Sequence, residues 1–117
     1  FIAHKDTPFC NERSGTLDDT LFYLALLRLM LPNVLLPATT ALGTIHPRGR
    51  EMGVLSGANV VMPNLSPVSV RKKYMLYDGK ICTGDEAAEC RMCLSRRMER
   101  IGCEVVTDRG DYKKRLA

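Results

Sequence analysis

Three short apolar runs, Phe1-Ile2-Ala3, Val34–Ala38 and Ala58–Met62, recur along the 117 residues, and each gives way to a loop and then to a helical pattern. Strands that read as near-continuous apolar runs are covered on both faces, and alternation with helices is the mark of a parallel α/β sheet. In the first unit the polar loop from His4 to Gly15 leads to Thr16, an N-cap residue, with Asp18 and Asp19 in the first turn. Leu17, Leu21, Leu24, Leu27 and Leu31 follow at helical spacing until Pro32 stops the helix. The second strand ends in Thr39-Thr40, and Pro37 weakens it because proline cannot donate to a ladder. Pro47 suits the first turn of a second helix ending near Gly57. Ser66-Pro67 opens a third helix, with Val70, Tyr74 and Tyr77 on one face.

Three units cannot close a barrel, since eight need roughly 250 residues. The pattern therefore fits a small open α/β layer or the last part of a larger barrel. Phe1 stands inside a strand-like run, which reads as a chain entered midway, so a targeting segment is not assessable. Such a piece alone is expected to expose a strand edge and aggregate. Beyond Tyr77 the character changes. Asp78-Gly79 forms a turn, Asp85 is placed to cap a helix running to Ile101, Gly102 stops it, and Cys103–Val106 resembles one more strand. The expected division is residues 1–78 as the α/β part and 79–117 as an extension.

The net charge of +4 lies wholly in the last third: residues 1–70 carry five Lys/Arg and five Asp/Glu, residues 71–117 twelve and eight. Acidic residues interrupt that basic surface, and no helix-turn-helix or zinc-finger spacing is present, so a solvated charged face is expected rather than nucleic-acid binding. The longest apolar stretch, Leu21–Leu31, is broken by Arg28 and falls short of the roughly eighteen residues of a membrane span. Five cysteines is an odd count, which favours reduced thiols or metal ligands over a disulfide framework.

Three of those cysteines sit in ICTGDEAAECRMC. On a helix, Cys90 and Cys93 are one turn apart, and Cys82 can fold back from the preceding loop. The spacing Cys82-x7-Cys90-x2-Cys93 offers three thiolates to one centre, and soft thiolates select zinc, copper(I) or iron–sulfur clusters. The alternative is apolar filling, because Cys90 and Cys93 also lie near Ala87, Leu94 and Ile101 on the helix. A closed zinc site wants four ligands, and Cys103 or an exogenous group is the candidate fourth. Cys10 stands apart.

The strings PATTALGTIHPRGREMGVLSGANVVMPNLSP and RKKYMLYDGKIC, with FIAHKDTPF and VVTDRGDY, resemble the C-terminal part of the HydE-type FeFe-hydrogenase maturases. These are radical S-adenosylmethionine (SAM) enzymes related to biotin synthase, and the likeness runs over nearly the whole chain. It implies that the α/β part is the last three units of a radical SAM TIM-type (β/α)8 barrel, followed by the cysteine-containing extension. It also implies a SAM and substrate cavity, with Met62, Tyr74 and Tyr77 toward the cofactor and Thr39 and Thr40 toward the substrate. Threonine hydroxyls can orient a small ligand, and tyrosines join an apolar wall to a polar tip. Independently, the rule that barrel chemistry gathers at the C-terminal ends of strands selects His4, Thr39, Thr40, Met62 and Asn64. A capping or ladder role is the alternative for Thr39 and Thr40, core packing is the alternative for Met62 and Tyr74, and His4 reads as a structural loop histidine.

For Cys82, Cys90 and Cys93 the resemblance implies an accessory iron–sulfur cluster, of the 2Fe-2S or 4Fe-4S type, which some members lack. The Cys-x3-Cys-x2-Cys loop that holds the catalytic 4Fe-4S cluster is missing from these residues. The chain alone is therefore expected to be inactive. In the parent, an electron from that cluster cleaves SAM to a 5′-deoxyadenosyl radical. The implied substrate is a small iron–cysteine carbonyl–cyanide complex, the implied partners are other hydrogenase maturases, and the implied compartment is an anaerobic cytoplasm. Two alternatives are another biotin-synthase-like enzyme, such as the methylornithine synthase, and a free-standing small metal-binding module.

Overall fold

The computed structural model describes residues 2–71, 73, 77–79, 81 and 87–111. The first helix, α1 (Leu17–Met30), starts where the sequence expects it. Thr16 Oγ1 accepts the Asp19 N–H at 3.1 Å and donates to the Asp19 carboxylate at 2.6 Å, so the cap and the first-turn acid lock each other. At the other end the Leu31 N–H closes on Leu27 O, and Pro32 prevents a further turn.

Strand β1 (Pro37–Ala38) and strand β2 (Val60–Val61) pair in parallel, Pro37 with Val60 and Ala38 with Val61. Each is only two residues long, against the longer runs expected at 34–40 and 58–62. Pro37 brings no donor, and just before it the ladder gives way to side-chain support: the Leu36 N–H binds Asn59 Oδ1 at 2.8 Å, while Leu36 O accepts from Asn59 and Val60. The expected strand at Phe1–Ala3 is not formed by Ile2 or Ala3, and Cys103–Val106 is likewise irregular.

Two helices connect the strands where one was expected. Thr40 begins α2 (Thr40–Ile45) instead of ending the strand, and Pro47 precedes rather than opens α3 (Gly49–Leu55). Helix α3 runs close to the strand pair at Gly53, where a Cβ would stand 2.8 Å from Leu42 Cδ2 and 3.4 Å from Ala38 Cβ. After α3, Gly57 takes φ +120°, which an L side chain rarely adopts, and its carbonyl accepts Arg28 Nε at 2.8 Å. Leu24, Leu36, Ala38, Leu42 and Ala58 form the core of this layer. The described part of the third helix, α4 (Val68–Arg71), is a single turn.

Helix α5 (Ala87–Glu99) matches the expected helix of the extension. It buries Cys90, Leu94 and Met98, four residues apart on one face. Gly102 at φ +76° ends it: its N–H binds Glu99 O and the Cys103 N–H binds Met98 O, a Schellman closure. Among the described residues no helix is long and apolar enough to cross a membrane.

Candidate functional site

Parallel pairing places the residues that follow Ala38 and Val61 at the same end of the sheet. Thr39, Thr40 and Met62 therefore share one edge. Thr39 is the N-cap of α2, yet its hydroxyl makes no capping bond. Thr40 Oγ1 and the Tyr77 hydroxyl are 2.7 Å apart, across 37 positions of sequence. Both groups are half-buried. Met62 is 52% exposed, so its thioether side chain stands open to a neighbour rather than filling a core. Tyr74 lies outside the described residues. Of the cofactor and substrate residues expected from sequence, the structure thus joins Thr40 to Tyr77 and sets Thr39 and Met62 along the same rim.

The loop after β2 also reaches the cysteine helix. The Asn64 N–H points at Cys90 Sγ, 3.3 Å away. Asn64 is pinned on its other side, its carbonyl accepting Arg71 Nη2 at 3.2 Å and its Oδ1 accepting the Ser66 N–H. Arg71 Nε binds Ser66 O at 2.7 Å, and the arginine is 2% exposed. A buried guanidinium spent on loop carbonyls fixes the backbone that presents Asn64.

Cys93 differs from Cys90. It is exposed and borders an open groove of about 290 Å³ with Glu89, Met92, Arg96, Arg97 and Arg100. The expectation that both thiols share the apolar face is therefore corrected: Cys90 belongs to the buried stripe, and Cys93 lies at its margin. Cys82 lies outside the described residues, and among the described residues no group of three or more His, Cys, Asp or Glu side chains converges as a metal site. Two thiols, soft donors of the kind that thiolate-bound centres use, stand one helical turn apart, and Cys90 takes a backbone N–H.

One electrostatic feature carried no signal in the sequence. Glu51 on α3 and Arg97 on α5 form a two-pronged ion pair, and Arg50 and Arg71 are as deeply buried as Leu94 and Met98. Burial pushes the Glu51 carboxyl up, but the Arg97 hydrogen bond, with Arg97 and Arg50 charges beside it, holds it below its ordinary value.

No protein-family model matches the chain. The FeFe hydrogenase maturase subunit HydE of Thermotoga maritima is 45% identical to it over 114 residues, which is 97% of this chain and 33% of that protein. The chain matches a C-terminal fragment of HydE. It spans about one third of the length of this HydE, so the likeness covers neither the remaining two thirds nor the residues they carry.

Proposed function

We propose that this chain is part of a radical SAM hydrogenase maturase of the HydE type, whose full length closes a (β/α)8 barrel. The observation that carries the reading is the 45% identity to HydE over 114 residues. Two features support it. The Thr40–Tyr77 contact lies at the strand ends, where barrel chemistry gathers. The outer face of α1 leaves Phe22 63%, Leu29 81% and Met30 67% exposed, an apolar surface suited to packing against further barrel helices.

In this reading Thr39 and Thr40 hold the polar end of a small substrate, here an iron–cysteine carbonyl–cyanide complex, while Met62, Tyr74 and Tyr77 wall the SAM side. The Thr40–Tyr77 pair fixes a hydroxyl donor and an acceptor at one point of the rim, so a ligand meets an oriented partner rather than a rotating one. Cys82, Cys90 and Cys93 hold an accessory iron–sulfur cluster in residues 79–117, with Asn64 supporting Cys90. When bound in the full-length protein, the catalytic 4Fe-4S cluster would supply the electron that cleaves SAM; its Cys-x3-Cys-x2-Cys motif is not among these 117 residues. Other maturases are the partners that hand over or receive the substrate, in an anaerobic cytoplasm.

The test is anaerobic reconstitution of the complete gene product with iron and sulfide, followed by SAM and dithionite. Formation of 5′-deoxyadenosine is expected. A gene product with no Cys-x3-Cys-x2-Cys upstream of this chain, or one that leaves SAM intact, would sink the reading and favour the free-standing metal-binding module.

A further inference from the structure

The loop after Ala3 carries His4, whose side chain is 19% exposed. Its backbone is fastened in a tight turn, with the Thr7 N–H and Thr7 Oγ1 both donating to the His4 carbonyl, at 3.1 and 2.8 Å. Nδ1 accepts the Asp6 N–H at 3.1 Å, so the neutral ring keeps its proton on Nε2. Nε2 faces Asp78 Oδ1 at 3.8 Å, and the other carboxylate beside the ring is that of Asp6, 3.9 Å from Nδ1. Asp78 returns to the same stretch through its backbone, its N–H binding Ile2 O at 3.2 Å. The residue before it is Tyr77, whose hydroxyl meets Thr40. Three distant pieces of chain, around residues 2–4, 40 and 77–78, are thereby tied in one line.

We propose that His4 and Asp78 are positioning residues for Tyr77. The Nε2–H of His4 is directed at the Asp78 carboxylate from 3.8 Å, an electrostatic contact longer than a hydrogen bond, and in this proposal it keeps residues 77–78 by the His4 turn and the phenol on Thr40. This rests on the reading in which Thr40 and Tyr77 line the SAM and substrate cavity. When either partner is removed, the contact between the two side chains is lost, and the phenol gains freedom that a ligand must then remove on binding.

The experiment uses the complete reconstituted protein with SAM as the probe. His4→Gln and Asp78→Asn are each expected to weaken SAM binding about fivefold to tenfold, the scale of ordering one side chain. His46→Gln is the control, since His46 Nδ1 accepts the Arg48 N–H at 3.1 Å in a similar local turn. In a Tyr77→Phe background His4→Gln should add nothing, because its effect passes through the phenol. A second readout needs no ligand: with ring-labelled tyrosine, the Tyr77 carbon resonance should shift in His4→Gln and Asp78→Asn and stay fixed in His46→Gln. If His4→Gln folds poorly, Asp78→Asn at the half-exposed partner carries the same comparison. An unmoved Tyr77 resonance, or full additivity with Tyr77→Phe, overturns the proposal. Failure of the wild type to bind SAM overturns the cavity reading instead, and the resonance still decides the tether.

Discussion

Arg97 grips Glu51 with two prongs of its guanidinium, Nε to Oε1 and Nη2 to Oε2 each 2.6 Å, while Nη2 also reaches the Pro47 carbonyl at 2.6 Å. The side chains are 20% and 10% exposed, so this pair fastens α5 to the start of α3 out of most of the solvent. Removing one member leaves the other charge buried, at a cost of about 3 kcal/mol. Arg97→Met is therefore expected to lower stability by roughly that amount in urea unfolding. Hydrogen exchange should show where: α5 amides lose protection while α1 amides keep theirs. Uniform loss across both helices would mean that the pair does not act as a local fastening.

The same pair sets an acid limit. Glu51 is held below its ordinary value of 4.5 in the folded chain, so it contributes stability that is complete above that value. The contribution is lost as pH falls through the lower folded value, where the carboxyl takes a proton and Arg97 loses its partner. Protection of α5 amides should accordingly hold at neutral pH and fall below about pH 4.5. In Glu51→Gln this acid step should vanish, with α5 weakened at every pH. A step of unchanged size in Glu51→Gln would assign it to another carboxylate.

Two glycines should respond oppositely to the same change. At Gly53 an added methyl would lie 2.8 Å from Leu42 Cδ2 inside the core, and Gly53→Ala is expected to destabilise by about 1–3 kcal/mol. Gly15 has nothing within 4 Å, and Gly15→Ala should be neutral or stabilising by up to about 1 kcal/mol, through a less free unfolded chain. Melting of the two variants side by side checks the contrast, and equal effects would contradict the close approach of α3 to the strands.

Local signals carried over well from the sequence. Thr16 with Asp19, the leucine spacing of α1, and Gly102 after α5 all act within one or two turns, and each appears where it was read. Parallel α/β pairing followed from the apolar runs, but strand length did not, because Pro37 and the Asn59 side chain interrupt the ladder at its first rungs. Thr40 was legible as a strand-end residue and not as the start of α2, since a six-residue helix repeats no apolar period. What joins the site lay beyond reach. Tyr77 meets Thr40 across 37 positions and Arg97 meets Glu51 across 46, and no spacing rule links partners so far apart. Arg71 sits in a basic run that reads as solvated surface, yet it is buried on loop carbonyls.

The two described cysteines of α5 should separate by reactivity. Cys90 is 3% exposed under the Asn64 loop, whereas Cys93 and Cys10 face solvent. In metal-free protein, iodoacetamide should label Cys93 and Cys10 quickly. Cys90 should label on the order of a hundredfold more slowly, because the reagent must wait for a local opening of roughly 3 kcal/mol. Loading with iron and sulfide should then protect Cys93 and leave Cys10 reactive, as expected if Cys93 is a ligand and Cys10 is not. Cys90→Ser should abolish that protection of Cys93, since a hydroxyl is a poor substitute for a soft thiolate. Mass spectrometry of the labelled peptides reads all three sites in one sample. Should Cys93 label as fast in the loaded protein as in the metal-free one, the cysteines of α5 are packing and surface residues, and the metal assignment falls.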